Sequence, residues 1–401
     1  MIAAGGDPLS GANDGADKRG LRILLTAVEP SADAIGAALM RALTAKAPGI
    51  RFCGCGGPLM AEEGLKSLFP ISDFAVIGPV GALKALPAAM RGAAKLAQAA
   101  AAEKIDAGVL IDSWSFSRIA AEKIKKAAPN ATLIKYVAPQ VWASRPKRAQ
   151  TLVRLFDGVL TLFDFENPYF EKANVPVTAV GSSLFAAAAN ARGDGTGLRA
   201  KHGLGGAPLL AVLPGSRDNE INRLTAPFGE TIRLLTETKP DLRVFVVTAP
   251  GKEEKVRAAT TAWPGAPIYV GHSDRFDGFA AADAGLAASG TVTTELAIAG
   301  TPMVIGYRVD PLSAMWIRHV ATINFVSLIN LAANREIIPE CLQEDCRPEA
   351  MAAALAPLMT ATPERAAQLG AFPEILERLG VGRPPPSEMA AEAILRWMAS
   401  D

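Results

Sequence analysis

The 401-residue chain is short of the groups most often used for metal sites and disulfide frameworks, with three histidines and four cysteines. His202, His272 and His319 stand apart, and none lies at metal-ligand spacing from a second His, a Cys or a carboxylate pair, so no metal is expected. Cys53, Cys55, Cys341 and Cys346 make no zinc-type pair of pairs and read as small buried hydrophobes in a reducing cytosol. Neither sign of charge dominates: 41 Lys and Arg face 40 Asp and Glu, for a net charge of +1. That balance speaks against a nucleic-acid partner and against an acidic solvating role. No charge-free run approaches the roughly 20 apolar residues of a membrane span. Residues 1–20, MIAAGGDPLSGANDGADKRG, lack an apolar signal core and read as a disordered tail.

What is present is a half-hydrophobic chain long enough for two domains. Short apolar runs alternate with helical stretches. Strands are expected at 21–28, 50–54, 107–111, 132–137, 158–162 and 177–180. A Gly-rich connection, ARGDGTGLRAKHGLGGAP at 191–208, then interrupts the rhythm. It restarts with strands at 209–213, 243–248, 267–270, 284–288 and 303–307. Such βαβα alternation implies α/β architecture: two doubly wound Rossmann-like domains, at 21–190 and 205–385, facing across a cleft. A last helix, within 386–401, is placed to return to the first domain. Ligands of such sheets sit outside the carboxyl ends of the strands, so polar residues at strand ends are the candidates.

Five stretches qualify. In VEPSAD, Glu29, Ser31 and Asp33 fall where the first strand gives way to a helix. In GVLIDSWSF, Asp112 ends an apolar strand; partial burial there would raise its pKa toward general-base range, or it is a helix N-cap. In VWASRPKR, Trp142 and Arg145 offer a wall and a cation for phosphate, or an ordinary basic helix start. In LPGSRDNEI, Gly215 allows close backbone approach, the helix start attracts an anion, and Arg217 suits diphosphate oxygens. Glu220 is a first-turn carboxylate favoured by the helix dipole. In ASGTVTTELA, Ser289, Gly290 and Thr291 form a phosphate-type turn, and Glu295 on the following apolar helix is suited to ribose hydroxyls. His272 lines that nucleotide site or is a solvated loop residue. The stretch 74–99, apolar with Lys84, Arg91 and Lys95 along it, reads as a core-facing helix or as a lipid-contacting surface.

Taken together, EPSAD, GPLMAEEG, AVIGPV, LID, YVAPQVWA, RPKR, LPGSR..EI, ASGTVTTELA, PMVIGYR and FVSLINLAANREIIPECLQ resemble the lipid-A-disaccharide synthase family from about residue 21 to 358. The resemblance implies the glycosyltransferase B fold. It also implies transfer of 2,3-diacylglucosamine from a UDP carrier to 2,3-diacylglucosamine 1-phosphate, with a β-1,6 linkage and release of UDP. On this reading Asp112, Glu29 and Asp33 are catalytic, Asp112 being the base for the acceptor hydroxyl. Ser31, Trp142, Arg145, Arg217, Glu220, Ser289, Gly290, Thr291, Glu295, Asn330 and Arg335 bind substrates, and no cofactor is needed. The resemblance further implies a cytoplasmic protein peripheral to the inner membrane, meeting a lipid acceptor there, and a homodimer through the C-terminal region. The sequence departs from the family pattern at Val28 and Ala32, where glycines are usual, at Ser113–Ser117, and at Ser144, Ser182 and Ala186. These departures lie in the first half, and the donor-side motifs are nearly intact. Two other functions fit the same residues: a non-catalytic or re-purposed UDP-sugar-binding paralogue, and an enzyme of the same fold acting on a soluble UDP-sugar.

Overall fold

The computed structural model describes residues 20–71, 79–141, 147–310, 314–315 and 324–399. Residues 1–19, the AVIGPV motif up to Gly78, Trp142 and Arg145 lie outside that set. In chain order the strands are β1 (Arg22–Thr26), β2 (Arg51–Cys55), β3 (Ala107–Ile111), β4 (Thr132–Tyr136), β5 (Gly158–Thr161), β6 (Val177–Ala179), β7 (Leu209–Leu213), β8 (Arg243–Val247), β9 (Ile268–Val270), β10 (Ala284–Ala287), β11 (Met303–Tyr307) and β12 (Glu340–Leu342). They form two six-stranded sheets, ordered β2-β1-β3-β4-β5-β6 and β12-β11-β10-β7-β8-β9. The pairing is parallel, for example Ile23 opposite Phe52 and Ala107, and Leu210 opposite Val244 and Ala284. β3, β4 and β7 are buried along their whole length. That explains why they read as unbroken apolar runs: both faces of a parallel strand are covered.

The helices of the first half are α1 (Pro30–Lys46), α2 (Pro58–Glu62), α3 (Pro79–Glu103), α4 (Trp114–Ala127), α5 (Lys147–Leu155), α6 (Pro168–Glu171) and α7 (Ser183–Asn190). Then come α8 (Gly195–Lys201), α9 (Asp218–Thr238), α10 (Glu253–Thr260), α11 (Arg275–Ala281), α12 (Thr291–Ile298), α13 (Leu328–Ala333), α14 (Pro348–Leu355), α15 (Pro363–Arg378) and α16 (Pro386–Met398). Local chemistry sets their starts. α1 opens with Pro30 at its first position, carries Asp33 in its first turn and ends on Lys46, matching the helix dipole at both ends.

The chain separates into two compact units, residues 1–133 and 134–401. The division falls before most of β4, and packing within the second unit gives a reason. Phe163 and Phe185 belong to the same buried cluster as Leu209, Phe245, Phe279 and Ile305 of the second sheet and its helices. The last helix packs on β5: a Cβ on Gly158 would meet the Trp397 ring at 2.6 Å. Fully burying side chains of this size contributes about 1.5–3 kcal/mol each.

Candidate functional site: a pocket at the carboxyl ends of the second sheet

β7 lies between β8 and β10, so the chain leaves it in one direction and returns on the other. At such a switch point the loops diverge and leave a crevice at the carboxyl ends of the strands. A pocket of about 220 Å³ occupies that position. Gly215, Ser216 and Glu220 line it from the β7 loop and α9, and Thr248–Pro250 from the β8 loop. His272 and Arg275 follow β9, and Ser289–Val292 and Glu295 follow β10. Four of the expected donor-side residues, Ser289, Gly290, Thr291 and Glu295, therefore share one wall. Gly290 is the N-cap of α12, which presents first-turn N–H groups there. His272, left between two readings by the sequence, lines the pocket.

The turn after β7 is held by its own carboxylate. Glu220, 6% exposed, accepts from the Ser216 N–H at 2.9 Å, the Arg217 N–H at 3.2 Å and the Arg217 guanidinium at 2.7 Å. The Tyr307 hydroxyl lies 3.3 Å away on the same carboxylate. Gly215 is required at its place. Its φ is +112°, and a Cβ there would come within 2.5 Å of Glu220. Glu220 occupies the N–H groups of Ser216 and the N-cap residue Arg217 and so holds the turn, while the first-turn amides of α9 begin only at Asp218. Arg217 remains 76% exposed, and its pKa is raised chiefly by the hydrogen bond to Glu220. Burial, followed by the Glu220 charge, raises the Tyr307 pKa.

The expectation for Asn330 is corrected. It is fully buried, and its amide donates to the Ile338 carbonyl at 2.8 Å and to Glu340 at 2.8 Å. Its carbonyl oxygen accepts from Ile337 at 2.7 Å and Ile338 at 2.9 Å. Two donors and two acceptor positions are all a carboxamide has, so Asn330 organises its loop and has nothing left for a ligand. Glu340 extends this clamp to the N–H groups of Val326 and Ser327, and the Val326 carbonyl accepts from the Ser289 hydroxyl at 3.3 Å. Arg335 is exposed on the loop after α13.

The residue that sequence reading missed is Arg275. Its guanidinium meets Glu295 at 2.7 and 3.2 Å, taking both carboxylate oxygens. The signal was hidden because the partners stand 20 residues apart on different helices, joined only by the crossover.

The first unit carries the other candidates. The loops after β1 and β3 emerge from adjacent parallel strands. Asp33, expected to be catalytic, is 2% exposed and accepts from the N–H groups of Gly57 at 2.7 Å, Leu59 at 3.0 Å and Met60 at 3.2 Å. It satisfies amides at the start of α2 that the helix cannot pair itself. These bonds give Asp33 a structural role in holding the start of α2. Glu29 and Ser31 are exposed at the start of α1, with Glu29 as N-cap. Neither Val28 nor Ala32 has positive φ, so their Cβ atoms cause no backbone strain in place of the family's glycines.

Asp112 is half-buried, and the N-cap of α4 is Ser113, not Asp112. Both take left-handed backbone conformations, with φ of +48° and +32°. Each such residue costs about 1–3 kcal/mol, and strain of this kind concentrates at functional sites. The buried Ser117 hydroxyl donates to the Asp112 carbonyl at 2.8 Å and ties the turn down. Among the described residues, no group of three or more His, Cys, Asp or Glu side chains is arranged to hold a metal ion.

Two parallel six-stranded sheets, with a pocket at the switch point of the second, define the glycosyltransferase B architecture. Solved structures agree in fold. MurG of Acinetobacter baumannii aligns with a TM-score of 0.56 at 13% identity, over 94% of this chain and 99% of that one. A putative UDP-N-acetylglucosamine 2-epimerase from Listeria monocytogenes gives 0.59 at 15% identity, over 95% and 96%. The family model described as lipid-A-disaccharide synthetase matches residues 23–383. Relatives named lipid-A-disaccharide synthase include one from Rhodospirillum centenum, 42% identical over 94% of each chain. Another, from Ruegeria pomeroyi, is 41% identical over 94% of this chain and 95% of its own. The chain belongs to the lipid-A-disaccharide synthase family.

Proposed function

We propose that the chain transfers 2,3-diacylglucosamine from UDP to the 6-hydroxyl of 2,3-diacylglucosamine 1-phosphate, forming the β-1,6 disaccharide. The observation that carries this reading is the shared pocket wall of Ser289, Gly290, Thr291 and Glu295. A phosphate-type turn and a ribose-type acid stand together there, as a nucleotide sugar needs. In the proposed reaction the acceptor oxygen attacks the anomeric carbon while the bond from that carbon to the UDP oxygen breaks. The hydroxyl proton passes to Asp112. UDP leaves with the electron pair, and its charge is met by Arg217 and the first-turn amides of α12, which need no reorganisation at that moment. The proposed functional halves are residues 21–190 and 205–385, with the helix within 386–401 following them. Ser31 and Glu29 are proposed to contact the acceptor side, and Arg335 the donor side.

The proposal extends to a lipid surface. Among the described residues no helix is long and apolar enough to cross a membrane. On α3, however, Leu86 and Met90 are each 44% exposed, one helical turn apart, and Arg91 and Lys95 are exposed beside them. Apolar and cationic side chains in that arrangement suit an anionic membrane surface. A homodimer is part of the same proposal, and light scattering of the purified protein tests it. The activity is tested by incubating the protein with both lipids in detergent and detecting the disaccharide by mass. Product formation supports the reading. UDP binding without product would favour the paralogue.

A further inference from the structure

Glu295 is the carboxylate proposed to meet the donor's ribose, and it is not free to choose its own orientation. Arg275 Nε–H donates to Oε2 at 2.7 Å and a terminal N–H donates to Oε1 at 3.2 Å. The pair is sheltered, at 17% and 12% side-chain exposure. The guanidinium is itself fixed twice more, by donating to the His272 carbonyl at 2.7 Å and by lying 4.4 Å above the Phe276 ring. Both side chains line the same pocket. A carboxylate offers about two acceptor positions on each oxygen. Arg275 takes one on each, and one on each remains for a ligand.

From this geometry we infer that Arg275 is a positioning residue that sets Glu295 to accept two hydrogen bonds from a vicinal diol, and so makes the pocket select ribonucleotides over 2′-deoxyribonucleotides. The inference rests on the nucleotide reading of the pocket and deepens it by naming what that wall discriminates. Selection follows from pairing: a sugar with both hydroxyls satisfies both remaining positions, and a 2′-deoxy sugar leaves one buried acceptor unpaired. Lysine cannot replace Arg275 in this role, because one ammonium does not reproduce a planar fork fixed at both carboxylate oxygens.

The test is calorimetric titration of the full chain with UDP and with 2′-deoxy-UDP, for the native protein, Arg275→Gln, Arg275→Lys and Glu295→Gln. The native protein is expected to bind UDP about tenfold more tightly than the deoxy form. Arg275→Gln is expected to weaken UDP about tenfold and to bring the two ligands level, as is Glu295→Gln. Arg275→Lys is expected to keep the native melting temperature and still lose the preference, so the test survives if the Gln variant does not fold. A preserved preference in Arg275→Lys or Arg275→Gln would overturn the positioning role. Failure of the native protein to bind either nucleotide would overturn the nucleotide reading itself, and is distinguishable from loss of preference alone.

Discussion

The loop after β10 and the loop after β1 look alike in sequence: each offers hydroxyls and a carboxylate where a parallel strand gives way to a helix. After β10 the polar residues converge on one pocket. After β1 they divide. Glu29 and Ser31 stay exposed, and Asp33 turns inward to hold the start of α2 through three backbone amides. The difference lies in what each carboxylate can reach. Glu295 meets a cation and keeps acceptor positions for a ligand, whereas Asp33 meets amides of its own fold. A charged residue at a strand end is therefore a candidate, and its partners decide its role.

Asp112→Asn sharpens the contrast most. With the proton acceptor removed, turnover is expected to fall 10²-fold or more, while calorimetry should show UDP affinity unchanged. Undiminished turnover would remove Asp112 from the base role. Next in size is Asp33→Ala, which leaves three amides without their acceptor. Its unfolding free energy is expected to drop by about 2 kcal/mol or more, read as a lower urea midpoint, again with UDP affinity unchanged. A stable Asp33→Ala protein that lacks turnover would support the catalytic reading and break the comparison.

Arg217→Ala removes an exposed guanidinium and is expected to weaken UDP about tenfold; equal affinity would place the diphosphate elsewhere. Asn330→Ala should cost about 1–3 kcal/mol in stability. Through the Val326–Ser289 contact it should weaken UDP only slightly; a loss as large as that of Arg217→Ala would mean Asn330 acts on the ligand.

The smallest effect concerns pH. Burial pushes the thiols of Cys53 and Cys341 up to about 11. Between pH 9 and 11 the unfolded chain releases thiol protons that the folded chain retains, so their contribution to stability is lost as pH rises. The urea midpoint should decline over that window, and by less in a Cys341→Ser variant.

Much of the fold was legible because parallel strands buried on both faces are written as apolar runs. β3, β7 and β11 begin and end where the sequence places them. The strand at Thr132 stops one residue early, at Tyr136, because Val137 takes a φ of +60°, which a β-branched residue gives no sign of in sequence. β12 was not expected: three residues, Glu-Cys-Leu, carry no periodicity, and an edge position needs little apolar length. In the site, the Ser289–Glu295 wall was readable from one continuous motif. Glu220 was readable as a first-turn carboxylate of α9, but the bonds made by Asp33 and Asn330 were not, since residue type gives charge and hydrogen-bonding capacity but not the partners that use it. Asp33 meets amides 24 to 27 residues away, and Arg275 meets Glu295 across a crossover.

The most direct measurement is a crystal structure of the protein with UDP. The account predicts the diphosphate at the Ser289–Gly290–Thr291 turn and both ribose hydroxyls on Glu295, with Arg275 still paired to it. UDP bound away from that wall, or ribose hydroxyls that leave Glu295 untouched, would contradict it.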